Sequence, residues 1–222
     1  MQLLSDLGPI AQLRAGRLPR RLVQLYAGLL LYGVSLAMLV RAGLGAAPWD
    51  VLHLGLTRHL PLTLGGALIL TSVLVMLLWI PLREVPGLGT VSNAIVIGLA
   101  ADATLAVLGP LEDLAVRSVV MVLAVLLNGV ATAAYIGAQL GRGPRDGLMT
   151  GLHRRTGLSI RLVRTSLEVT VVVIGLLLGG TAGLGTLLYA LAIGPVTQAL
   201  LPRMVVPLTA EQARVHESAV GG

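Results

Sequence analysis

The chain has 222 residues, of which 55% are hydrophobic and 12% charged, and its mean hydropathy is +0.89. A water-soluble domain carries about a quarter charged residues, so this composition excludes one and selects lipid as the solvent. The net charge of +6 is all arginine, with no lysine, and the absence of cysteine excludes disulfides, thiolate metal sites and cysteine nucleophiles.

Six apolar runs approach the roughly 20 residues that a bilayer-crossing helix needs. In chain order they are Leu22–Val40, Leu64–Leu82, Thr90–Leu108, Val116–Gln139, Ile160–Gly179 and Gly185–Leu201. Period-2 alternation is absent and the runs are rich in Leu, Ala and Val, which argues for helices over a β-barrel. The first run follows Arg14, Arg17, Arg20 and Arg21 and is too long for a cleaved leader, so it reads as a retained anchor. Tyr26 and Trp79 lie near run ends, where interfacial aromatics are expected. Residues 1–21 read as a basic segment, residues 22–205 as one membrane domain, and residues 206–222 as a short mobile tail.

Arginine placement sets an orientation. With the N-terminus in the cytoplasm, 13 arginines fall inside and three, Arg41, Arg58 and Arg117, fall outside. This positive-inside bias predicts six spans with both termini cytoplasmic. It also explains the positive charge without nucleic acid, since the arginines sit between apolar runs.

The chain repeats itself at an offset of 96 residues. Aligning residues 30–101 with 126–197 gives 25 identities in 72 positions, including Gly45 with Gly141, Pro48 with Pro144, Asp50 with Asp146, and Gly87-Leu88-Gly89-Thr90 with Gly183-Leu184-Gly185-Thr186. Repeat 1 covers about residues 22–108 and repeat 2 about 116–201. Three spans per copy force the second copy to enter the membrane from the opposite side. The predicted architecture is therefore all-α and polytopic, with six transmembrane helices in two inverted three-helix repeats. Secondary transporters are commonly built this way, with sites at the repeat interface.

After the first span of each copy comes a glycine-containing loop and a proline, which together predict a tight turn and a new helix. The two short helices start at Pro48 and Pro144 and run about ten residues, too short to cross a bilayer. Helix starts carry free N–H groups and the positive end of the dipole. If the two starts face one another, they form a cavity suited to an anion. Pro48, Trp49, Asp50, Pro144, Arg145 and Asp146 are the candidate substrate-binding residues. Asp50 and Asp146 could equally cap their helices, and Arg145 could equally be one more positive-inside residue. The copies differ where Trp49 stands opposite Arg145 and Asp102 opposite Gln198. Asp102, a carboxylate at membrane depth, is the candidate proton-coupling group, with a hydrogen bond to a neighbouring helix as the alternative. Glu168 lies one turn from Arg164 and is expected to pair with it.

The four histidines lack metal-ligand spacing, and no nucleophile–base pair, phosphate loop or dinucleotide fingerprint is present. No cofactor, metal or nucleic-acid partner is expected, and no enzymatic activity.

Gly43-Leu44-Gly45, Pro48-Trp49-Asp50-Val51-Leu52-His53, Pro81-Leu82-Arg83 and Pro86-Gly87-Leu88-Gly89-Thr90 together resemble the YczE/YyaS/YitT family of bacterial integral membrane proteins, the YczE branch more closely. The likeness spans about Leu22 to Pro202. It implies a bacterial inner-membrane location but supplies no binding or catalytic residues. The sequence thus predicts a secondary transporter or exporter of a small organic molecule, with the lipid bilayer as surroundings and the oligomeric state open. The competing expectation is a non-transporting accessory protein that supports another pathway.

Overall fold

The computed structural model describes residue 4 and residues 7–208, and all the regular structure in them is helical. The helices are α1 (Pro9–Arg14), α2 (Leu18–Ala42), α3 (Pro48–Thr57), α4 (Leu64–Leu82), α5 (Leu88–Val107), α6 (Leu114–Gly137), α7 (Pro144–Thr156), α8 (Ile160–Leu177) and α9 (Leu184–Met204). Five of them, α2, α4, α5, α6 and α9, are long and apolar enough to cross a membrane. The sixth expected span forms as helix α8, but it carries three charged residues, Arg161, Arg164 and Glu168, within its 18 residues. Most of the expected tail, residues 209–222, lies outside the described residues; Val206 is buried, with its N–H donating to the Gly137 carbonyl at 3.0 Å.

Two long helices form the axis of the molecule. α2 packs along α6, α5 covers α2, and α9 covers α6. Leu25, Leu29, Leu36 and Leu39 of α2 meet Ala124, Val125 and Tyr135 of α6 in the core. Outward-facing Leu74, Leu77, Val119, Leu123, Leu187 and Leu191 are exposed on the chain. Such a surface is expected of a protein whose solvent is hydrocarbon.

Contacts recur at the 96-residue offset, and they cross between the copies. The Gly89 N–H donates to the Leu140 carbonyl at 2.7 Å, and the Gly185 N–H donates to the Leu44 carbonyl at 2.8 Å. Thr90 Oγ1 donates to the Arg142 carbonyl, and Thr186 Oγ1 donates to the Ala46 carbonyl, both at 2.7 Å. A reciprocal arginine clamp joins α2 to α6. Arg21, fully buried, donates to the carbonyls of Ala138 (2.8 Å) and Gln139 (2.6 Å) just beyond the end of α6. Arg117, 96 residues later, donates to Ala42 (2.7 Å) and Gly43 (3.0 Å) at the end of α2. A helix C-terminus leaves carbonyls unpaired and carries partial negative charge, so a guanidinium fits both needs.

The short helices are exchanged as well. α3, from the first copy, packs mainly on α8 of the second, while α7 packs mainly on α4 of the first. Each follows a loop that turns at a glycine with positive φ, Gly45 at 117° and Gly141 at 130°, a conformation only glycine adopts cheaply. The loops direct each helix start inward: Pro48, Asp50, Val51 and His53 are buried, as are Pro144, Gly147 and Leu148. The far ends emerge, with Arg154, Arg155 and Thr156 exposed. Trp79, expected at an interface, is instead buried, because its indole N–H donates to the Pro144 carbonyl at 3.0 Å and its ring packs on Gly147.

Candidate functional site

The two inward helix starts meet at one cavity. Its volume is about 280 Å³, and its wall includes Pro48 and Trp49 from α3 and Arg145, Asp146 and Met149 from α7. Of the six substrate-binding candidates, Pro48, Trp49, Arg145 and Asp146 line it directly. Pro144 lines a small adjoining recess that shares Arg145 and Asp146 with it. Asp50 is fully buried behind the wall. The Arg145 guanidinium lies over the Trp49 ring with 4.9 Å to its centroid, a cation–π contact that joins the two helix starts. Trp49 and Arg145 are equivalent positions of different chemistry, and here they meet across the repeat.

The aspartates do not act as N-cap side chains. Asp50 Oδ1 accepts from His53 Nδ1 at 2.9 Å, and His53 Nε2 meets the Thr71 hydroxyl at 2.8 Å. A carboxylate is acceptor-only, so the His53 proton sits on Nδ1. This buried trio ties α3 to α4. Asp50 Oδ2 has no partner among the described residues. Asp146 Oδ2 accepts from the Tyr135 hydroxyl of α6 at 2.8 Å. His53 has its counterpart in Met149 and Thr71 in Leu167. The first copy therefore fills with hydrogen-bonded polar groups the place where the second copy presents apolar side chains to the cavity.

The floor is a hydroxyl relay. Tyr32 and Tyr189 hydroxyls lie 3.3 Å apart, Tyr189 donates to Asn128 Oδ1 at 2.9 Å, and Asn128 Nδ2 donates to Ser35 Oγ at 2.7 Å. Buried polar atoms so connected fix their rotamers and hold the cavity shape.

The remaining wall comes from α8 and α9, and here the copies part company. In the first copy α4 packs against α5. A Cβ on Gly65 would collide with the Gly98 carbonyl and the Asp102 carboxylate, so the helices touch backbone to backbone. Asp102 closes this seam: Oδ2 accepts from Thr63 Oγ1 at 2.6 Å and Oδ1 from the Gly65 N–H at 2.8 Å. It therefore anchors the start of α4 and does not line the cavity. In the second copy Gly65 has become Arg161 and Asp102 has become Gln198. α8 and α9 scarcely touch, and a Cβ on Gly194, the counterpart of Gly98, would meet nothing within 4 Å. The cavity occupies this gap, with Arg164 and Glu168 on one side and Ile193, Thr197 and Gln198 on the other. Arg164 Nε donates to Glu168 Oε1 at 2.9 Å, the pair expected from their spacing. Leu68 and Ser72 occupy the corresponding places in the first copy.

The bundle of long apolar helices with an internal polar cavity defines a multi-pass membrane protein. Comparison with known proteins agrees: residues 19–202 match the model of DUF6198, a family of unknown function, and the chain belongs to that family. It is 33% identical over 192 residues to the membrane protein YczE of Bacillus subtilis, covering 85% of this chain and 89% of the relative. It is 44% identical over 169 residues to an uncharacterized protein of Haemophilus influenzae, covering 76% and 78%. To YyaS of Bacillus subtilis the identity is 26% over 179 residues, covering 79% and 89%. The YczE and YyaS likeness read from the motifs is confirmed. No solved structure matches the chain.

Proposed function

We propose that this protein is a secondary transporter of a small organic molecule in the bacterial inner membrane, and not an enzyme. The observation that carries the reading is one cavity walled by the starts of two short helices from different copies, Pro48 and Trp49 from one and Arg145 and Asp146 from the other. Inward-starting short helices at a repeat interface are how transporters present dipole ends to a substrate near the bilayer midplane. On this reading α8 is the sixth span, the repeats are inverted, and both termini are cytoplasmic, which the arginine distribution supports.

Alternating access then has a structural basis in the unequal seams. The seam of α4 with α5 is closed, while the gap between α8 and α9 is open. With inverted copies the two seams face opposite sides of the membrane, and the open one faces the cytoplasm. Transport exchanges their states. Asp102 is the proton-coupling residue: ionised, it accepts from Thr63 and the Gly65 N–H and keeps the first seam shut. A proton removes the charge-assisted part of those bonds and favours opening.

The test is reconstitution into liposomes with a metabolite panel under an imposed proton gradient. Uptake or efflux of one class of solute, lost in Asp146→Asn and uncoupled from the gradient in Asp102→Asn, is the expected result. Absence of flux for the whole panel from folded protein would remove the transport reading.

A further inference from the structure

We infer that the cavity recognises a small zwitterion, a molecule carrying one carboxylate and one ammonium group on a compact apolar body. The inference rests on the transporter reading for its purpose but on the cavity wall for its chemistry. Four charged side chains line the cavity: Arg145, Arg164, Asp146 and Glu168. Arg164 and Glu168 neutralise one another at 2.9 Å. Arg145 and Asp146 do not. Asp146 accepts only from the neutral Tyr135 hydroxyl. Among the described residues Arg145 has neither an ion pair nor a hydrogen bond, its guanidinium being held by the Trp49 face.

One unpaired cation and one unpaired anion therefore stand side by side, both half-buried, in the cavity wall. The contact with Trp49 uses none of the guanidinium N–H donors, which match a carboxylate in bidentate geometry. A simple anion would engage Arg145 but would place a second negative charge beside Asp146 and Glu168. A simple cation would engage Asp146 beside two arginines. Either leaves a desolvated charge uncompensated, which is costly. A zwitterion matches both groups and leaves the filled cavity neutral. Met149, Leu167 and Ile193 supply an apolar surface for its body. The volume of about 280 Å³ is at the small end of ligand pockets, which span about 300–1,000 Å³.

The experiment uses the full chain in lipid nanodiscs. Binding is measured for alanine, leucine and phenylalanine, each against its deaminated carboxylic acid and its decarboxylated amine. At least one amino acid is expected to bind on the order of thirtyfold tighter than both truncated partners, the scale of losing one buried charge contact. Arg145→Gln should abolish the preference over the amine, and Asp146→Asn the preference over the acid. Equal binding of acid and amino acid, or binding by none of the three amino acids, would overturn the inference. Where a variant fails to fold, judged by its melting profile, the ligand comparison on the unmodified protein decides alone. Liposome flux with the same probes separates the two readings. Selective binding without flux removes transport and leaves the ligand class; flux without selectivity does the reverse.

Discussion

Arg21 and Asp50 show how a charged side chain is kept inside this apolar protein: each has a fixed partner that holds it in place. Arg21 reaches four carbonyls, those of Ala138 and Gln139 together with Gln12 at 2.6 Å and Gly16 at 3.4 Å. Arg21→Met would strand those acceptors, and hydrogen bonds to charged groups each contribute about 1.5–3 kcal/mol. We expect a loss of about 2–4 kcal/mol, read as a lowered midpoint of thermal unfolding in detergent, and a smaller loss for the half-buried Arg117→Met. Equal losses would show that the clamp does not depend on burial. For the Asp50–His53 pair the relevant measurement is a double-mutant cycle. His53→Leu leaves a buried carboxylate without its proton donor, which costs about 3–5 kcal/mol. Asp50→Leu in the same chain is expected to restore part of that stability, because the pair goes together. Additive losses would mean that the two groups act separately. The sequence named Asp50 but not its partner: the three-residue spacing to His53 is a helical contact distance, yet a histidine without metal-ligand neighbours gave no reason to look. Thr71 lies on another helix, so nothing local could indicate it.

At the scale of elements, glycine content separates the closed seam from the open one. Gly98 and Gly194 are aligned and both lie in apolar helices, where glycine commonly serves close helix packing. Only Gly98 has that role, since its added Cβ would press on the Gly65 carbonyl and Ile69, whereas that of Gly194 meets nothing. Gly98→Ala is therefore expected to destabilise by about 1–3 kcal/mol through overpacking. Gly194→Ala is expected to be neutral or to stabilise by up to about 1 kcal/mol through helix propensity. Unfolding midpoints of the two variants in one detergent give the comparison, and similar losses would mean that the α8–α9 gap closes in solution. The helices themselves were legible because apolar runs, glycine turns and prolines at helix starts are local signals. Their boundaries moved by only a few residues, for instance from Leu22–Val40 to the helix Leu18–Ala42. Trp79 was misjudged because position near a run end says nothing about a helix from the other copy: α7 covers it. The partner of a short helix, α8 for α3 and α4 for α7, is a tertiary fact with no sequence periodicity behind it.

At the scale of the whole molecule, the duplication supplies an internal control for the state the structure represents. Ala101 and Thr197 are aligned. Ala101 is fully buried on α5, next in the chain to the seam residue Asp102 and packed on Gly33 of α2, whereas Thr197 lines the cavity. The chain has no cysteine, so a single introduced thiol reports its own surroundings without background. The Thr197 hydroxyl is turned away from water although the residue lines the cavity, so Thr197→Cys should react slowly but measurably with a small water-soluble methanethiosulfonate, and the fully buried Ala101→Cys should be protected. If α4 and α5 part when α8 and α9 close, the two reactivities are reciprocally linked, because a ligand or mutation can shift an equilibrium only by favouring one state. Loosening the first seam by Asp102→Asn is then expected to raise the labelling rate of the Ala101→Cys variant and to lower that of the Thr197→Cys variant. A change in the Ala101→Cys variant alone would mark local fraying of α4 and break the link between seams. Protection of both thiols in the otherwise unmodified background would mean that the cavity is sealed from water in the membrane, and the open side assigned to the gap between α8 and α9 would have to be withdrawn. Reagent added separately to each face of oriented vesicles decides the sidedness. On the proposed inverted arrangement, the thiol of Thr197→Cys reacts from the cytoplasmic face and that of Ala101→Cys, once exposed, from the opposite one; labelling of both from one face would remove the inversion.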